Sequence, residues 1–331
     1  MNRIAVAIVH GVEIADPAFA AEPARLLRRS FAAELGLSPL DADNALVIEP
    51  VYWAPHIEGR QRELFAKMCG DDAGTFFDDH LEGIVKSVNA GSAASLARLL
   101  ASLVRRTTPE IRTLHYPTAR WLTLHFVGDI IAYDRKLNEE NYVAAHHVLA
   151  QALAVLADKA GDRAPLCVLA HSFGSVLVSD YLYDQQETLR GRKLVPDAVR
   201  AVMGTSPLAR GETLAWLYTM GSPLALWSLR NPDAGLDRPI DFPGADIAGR
   251  GSRLRSEWVN FYDRDDVIAY PLRPLGPAYA RQVTMDRPVT VRGPWPVFAT
   301  PLVHPFYWTD PQVIDAIGGS LAAGWRNLNP D

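Results

Sequence analysis

Cysteine is almost missing from this chain: two occur in 331 residues, Cys69 and Cys167, and Cys167 lies inside an apolar run. Two such residues form no disulfide framework and read as reduced, small hydrophobes, which places the expected home of the protein in the cytoplasm. Positive charge is also short. Net charge is −5 and no Lys/Arg block appears, so neither nucleic acid nor an anionic membrane surface is an expected partner. No apolar stretch approaches the roughly 20 residues of a membrane span. The run Ile4 to Val9 precedes Ala18-Phe19-Ala20, a tripeptide like a signal-peptidase site. The run is too short for a signal core, and His10, Glu13 and Asp16 interrupt the residues between, so a buried strand is expected there. Internal repeats and low-complexity tracts are absent apart from Ala-rich helices.

What remains is an ordinary globular composition, 48% apolar and 21% charged, long enough for one large α/β domain or two ordinary ones; of these, a single domain over 1–331 is the expectation. Ile4 to Val9 reads as a strand covered on both faces, ending at His10-Gly11. A helix with Leu26, Leu27, Phe31 and Leu35 on one face stops at Gly36, and a second strand spans Ala45 to Tyr52. This β-α-β opening favours a parallel sheet with right-handed crossovers. Residues 53–125 then read as helix without a clear strand, the pattern of an inserted helical cap over one rim of the sheet. Gln185 to Val195 reads as a second excursion. Further strands are expected at Val199 to Met203, Trp216 to Met220, Trp258 to Tyr262 and Val289 to Val291, with helices at Asn141 to Ala160 and Pro311 to Trp325.

The stretch that organises the rest is Pro165 to Asp184. An apolar strand, Leu166 to Leu169, runs into Ala170-His171-Ser172-Phe173-Gly174 and then directly into a helical pattern carrying Val176, Leu177, Tyr181 and Leu182. Strand, tight turn and helix with a serine at the apex is the setting of a nucleophile elbow, in which a strained serine stands clear of its flanks and the residues two before and two after must be small. Alanine at 170 departs from glycine there by one methyl group. A serine that merely caps the helix is the competing explanation. After Ser172 come an acid cluster, Asp263 to Asp266, behind a strand, and then His304 behind the last strand. Other candidate groups carry less. Asp71-Asp72 and Asp78-Asp79 beside His80 lack a second ligand cluster at metal spacing, and His146-His147 point about 100° apart on a helix, so no metal and no cofactor is expected. Tyr52-Trp53 and Trp295 to Phe298 fit either an acyl pocket or core packing.

The order serine, acid, histidine, with A-H-S-F-G after a strand, T-M-G-S-P-L at 219–224, W-V-N-F-Y-D-R-D-D-V-I-A-Y-P-L at 258–272 and H-P-F-Y-W at 304–308, resembles the α/β-hydrolase superfamily. Within it the likeness is to bacterial lipases, esterases and deacylases. The resemblance implies a mostly parallel sheet of about six strands flanked by helices, the family's two leading strands being missing. It also implies a Ser172 nucleophile, a His304 general base, and an acid for which Asp266 before Val267-Ile268 is the first choice, Asp265 and Asp263 remaining open. Backbone N–H groups of Phe173 and Val12 would form the oxyanion hole. Read from the residues themselves, His10 braces that turn or satisfies a buried polar contact, and His171, in a tight turn beside the serine, is a spacer facing away. The implied activity is cleavage of a carboxylic ester or thioester, on a small-molecule or lipid-like acyl substrate. An acyltransferase using the same three residues, and an idle scaffold that only binds, are the alternatives.

Overall fold

A computed structural model describes residues 2–11, 17–55, 63, 67, 128, 131–230, 236–250, 254–292 and 301–330. Of the expected helical insertion at 53–125, only 53–55, 63 and 67 fall within the described residues; Val12, Cys69, the acidic pairs with His80, and Trp295 to Phe298 lie outside them.

Among the described residues, six strands form one sheet in the order β2-β1-β3-β4-β5-β6: β1 Ile4–Val9, β2 Leu46–Val51, β3 Leu166–His171, β4 Leu214–Met220, β5 Glu257–Tyr262 and β6 Met285–Pro288. All five pairings are parallel, an arrangement that needs a crossover between strands and cover on both faces. The sequence supplies both. Every residue of β1, β3 and β4 is buried, hence their unbroken apolar runs.

Helices α1 Ala21–Leu35, α2 Pro39–Ala45, α3 Glu139–Ala160, α4 Gly174–Leu189, α5 Asp197–Val202, α6 Leu224–Trp227, α7 Ala245–Gly249, α8 Pro277–Gln282 and α9 Pro311–Leu328 connect and cover the strands. On one face Ala5, Ala7, Val9, Val168 and Ala170 meet α3 to α6; on the other Ile4, Val6, Ile8, Cys167 and Leu169 meet α1 and α9. The alternation follows from the two-residue period of a strand. Local signals set the helix ends. Gly36 takes the left-handed conformation (φ 67°) that closes α1, and Asp310 accepts from Gln312 N–H at 2.8 Å ahead of Pro311 to open α9. None of the helices among the described residues is long and apolar enough to cross a membrane.

Four expectations are corrected. Val199 to Met203 is not a strand: Asp197–Val202 forms α5, since a short apolar run of this kind suits either state. The last strand is Met285–Pro288, with Val289 to Val291 beyond it. An edge strand whose side chains are largely exposed carries no apolar run to mark it. Gln185 to Val195 begins as helix, because α4 continues to Leu189 with Asp184, Gln185 and Glu187 buried; the polar letters belong to an inward-facing surface. Finally, His304 stands on a 3₁₀ helix, Pro301–Thr309, and not on an open loop.

Candidate active site

The sheet brings Ser172, Asp266 and His304 together at its carboxyl edge. Ser172 follows the last residue of β3 and has φ 53°, a left-handed backbone that costs a residue with a side chain about 1–3 kcal/mol unless its surroundings fix it. They do. Its N–H donates to Met220 C=O at 2.9 Å, and its own C=O accepts from Ser175 N–H at 3.0 Å and from Ser175 Oγ at 2.6 Å. Ser175 Oγ lies 2.7 Å from Ser222 Oγ. Since the Ser175 hydrogen is spent on Ser172, Ser222 donates in that pair. A chain of hydroxyls thus runs from the β4 exit to the serine backbone.

Small residues are required here by contact. A methyl added to Gly174 would stand 2.3 Å from His10 O and 2.8 Å from Val9 O, and one added to Gly11 would stand 2.5 Å from Ser172 Cβ. The start of α4 is therefore pressed against the end of β1, and the turn after β1 against the serine itself. Ala170, two residues before Ser172, is paired with Val9 on one side and Thr219 on the other and keeps its methyl group in the core.

His304 spans the other two groups. Nδ1 is 2.7 Å from Asp266 Oδ2 and Nε2 is 2.8 Å from Ser172 Oγ. A carboxylate only accepts, so Nδ1 carries the hydrogen and Nε2 presents a lone pair to the serine hydroxyl. Asp266 also accepts from Ile268 N–H at 3.2 Å and Tyr307 Oη–H at 3.1 Å. Burial pushes its carboxyl up, but the His304 charge and the hydrogen bonds from His304, Ile268 and Tyr307 outweigh that and hold it below the ordinary carboxylate value. The other two acids are elsewhere. Asp263 accepts from Val291 N–H at 2.6 Å and Asp265 N–H at 2.9 Å, holding the turn together, and Asp265 is exposed.

Phe173 is buried, and no described residue accepts from its N–H, which lies at the start of the 16-residue helix α4. That helix end favours developing negative charge. His10 braces the adjoining turn. Its Nδ1–H donates to Gly11 C=O at 2.5 Å, Nε2 accepts from Trp53 N–H at 3.2 Å, and the Trp53 indole donates to His10 C=O at 2.8 Å. The two rings stack with 6° between planes. Burial lowers His10 to about 3, so it stays neutral and keeps this pattern.

Two contributions are invisible in the sequence pattern. His171 is not a spacer facing away: its Nε2–H donates to the backbone C=O of His304 at 2.8 Å. Tyr307 Oη, besides donating to Asp266, accepts from Asp263 N–H at 2.8 Å. Their proximity to the motif residues was the sole available hint. Gly221 matters too, with φ 58° and with Tyr307 Cε2 at 2.9 Å and His304 Cε1 at 3.0 Å from where a methyl would sit.

An imidazole so placed can take the hydroxyl hydrogen of Ser172 and leave its charge facing a buried carboxylate. Comparisons with protein-family models, curated proteins and solved structures find no match to this chain.

Proposed function

We propose that this protein is a serine hydrolase of the α/β-hydrolase fold that cleaves a carboxylic ester or thioester through an acyl-enzyme on Ser172. The observation that carries the reading is the continuous hydrogen-bond chain Asp266–His304–Ser172, at 2.7 and 2.8 Å, on a serine with φ 53°. The six parallel strands with the serine after the third support the fold assignment, since they match the reduced layout the resemblance implies.

In the first half-reaction Ser172 Oγ attacks the acyl carbon while its proton passes to His304 Nε2. Asp266 faces the imidazolium that forms and fixes its tautomer. The tetrahedral oxyanion is held by Phe173 N–H and, following the resemblance, by Val12 N–H, each donor worth roughly 3 kcal/mol in comparable sites. Collapse breaks the bond to the alkoxide or thiolate, which takes the proton from Nε2. Water then attacks the acyl-enzyme, gives its proton to Nε2, and the carboxylic acid departs as Ser172 Oγ recovers a proton. The test is Ser172→Ala, which should abolish both turnover of p-nitrophenyl esters and fluorophosphonate labelling. Labelling that survives at wild-type strength removes the proposal.

A further inference from the structure

We infer that His171 is a positioning residue whose imidazole N–H, donated to the backbone carbonyl of His304, fixes where the His304 ring stands between Ser172 and Asp266. The inference rests on the hydrolase reading, because only in that reaction does the placement of His304 govern turnover.

The geometry is a closed loop. His171 is covalently joined to Ser172 and hydrogen-bonded to His304 C=O at 2.8 Å, while the His304 ring returns to Ser172 Oγ at 2.8 Å. One residue thus sets both ends of the serine–histidine distance. The segment carrying His304 needs such a tie. It is a 3₁₀ helix interrupted by Pro305, with the weaker hydrogen-bond geometry of that form and one backbone donor fewer. It wraps around His171, whose ring centre is 4.8 Å from that of His304, 5.9 Å from Tyr307 and 5.5 Å from Trp308. Packing by itself would leave sliding along the ring faces open; the hydrogen bond removes it. Burial, and next the nearby His304 charge, lower His171 to about 3, outweighing the hydrogen bond to His304 C=O and the Asp266 charge, which both raise it, with His10 adding a smaller lowering. The ring therefore stays neutral and its Nε2–H remains a donor throughout the working pH range.

Two replacements separate the hydrogen bond from the packing. His171→Phe keeps a ring and loses the donor; His171→Gln keeps an N–H at similar reach. With a p-nitrophenyl ester, His171→Phe is expected to lower kcat about tenfold to a hundredfold at unchanged KM. It should also move the acidic limb of the kcat/KM profile to lower pH, because an imidazolium shifted away from Asp266 loses its partner. His171→Gln should return both toward wild type. A second readout needs no turnover: the low-field proton resonance of His304 Nδ1–H, assigned by its loss in Asp266→Asn, should persist in His171→Gln and vanish in His171→Phe. Wild-type kcat with an unmoved limb in His171→Phe overturns the inference, as does equal loss in both variants with the limb unmoved. Should wild-type protein prove inactive, the hydrolase reading fails and the resonance alone decides the tie, its retention in His171→Phe counting against it. If His171→Phe does not fold, His171→Leu replaces it. Failure of both to fold beside a fully active His171→Gln makes the contact structural only and overturns the positioning role.

Discussion

Tyr307 and Asp266 meet through one hydrogen: the phenol donates to Oδ2 at 3.1 Å, the same oxygen that accepts from His304 Nδ1 at 2.7 Å. Burial and the neighbouring Asp266 charge push the phenol well up, so it stays a donor. Tyr307→Phe strips Asp266 of that donor and concentrates its charge on the bond to His304. The acidic limb of kcat/KM should then move to higher pH, opposite in direction to the His171→Phe shift. Asp263 N–H also loses its acceptor, at a cost of about 1–3 kcal/mol in urea unfolding. A limb that stays in place would show that the phenol does not modulate the carboxylate.

The three candidate acids separate by function. Asp266→Asn should lower kcat by about 10⁴-fold with KM little changed, because the amide no longer enforces the tautomer. Asp263→Ala should act on stability, about 1–3 kcal/mol for each backbone N–H left unpaired, with the folded fraction retaining fluorophosphonate labelling. Asp265→Ala, at an exposed site, should stay within about 0.5 kcal/mol of wild type and keep full turnover. Burst titration together with urea melts distinguishes all three.

Glycine at the crowded turn is a steric requirement. Gly174→Ala sets a methyl against His10 and Val9 carbonyl oxygens at 2.3 and 2.8 Å, and backbone atoms cannot yield as a flexible side chain would. A loss of about 1–3 kcal/mol is expected, with the labelling rate at Ser172 falling along with it. Gly11→Ala, whose methyl would meet Ser172 itself, should depress labelling more than stability. Wild-type labelling in both variants would mean that the turn relaxes freely.

Buried neutral histidines predict acid sensitivity. His10 and His171 are lowered to about 3 from an ordinary 6.5, so between those values the unfolded chain binds protons that the folded chain refuses. Stability then rises with pH across that window and is lost on acidification, by about 1.4 kcal/mol per pH unit for each such group. In His171→Gln the slope of unfolding free energy between pH 6 and 4 should fall by about one histidine's share. An unchanged slope would mean that His171 is protonated in the fold.

Much of the sheet was legible because β1, β3 and β4 are buried on both faces and so spell continuous apolar runs. The turn at Ser172 was legible because sterics there admit few residues. The elements that escaped notice lack a local signature. Met285–Pro288 pairs at an exposed edge through polar residues, Asp286 accepting from Asn260 Nδ2–H at 2.8 Å, and so carries no apolar run, and Val199 to Val202 offers too few residues to tell one period from another. The hydrogen bonds of His171 and Tyr307 join residues 133 and 41 positions apart, and nothing in either neighbourhood names its partner.

The 132 positions from Ser172 to His304 have a temporal meaning. During synthesis the serine turn gains its β1 and β3 contacts first, its bond to Met220 only with β4, and in the proposed reading its base only when the 3₁₀ helix that follows β5 and β6 in the chain has been made. Under the proposed hydrolase reading, reactivity toward a phosphonate probe requires synthesis through His304, and a ribosome-stalled chain ending before residue 301 should remain chemically silent however well its first half had formed.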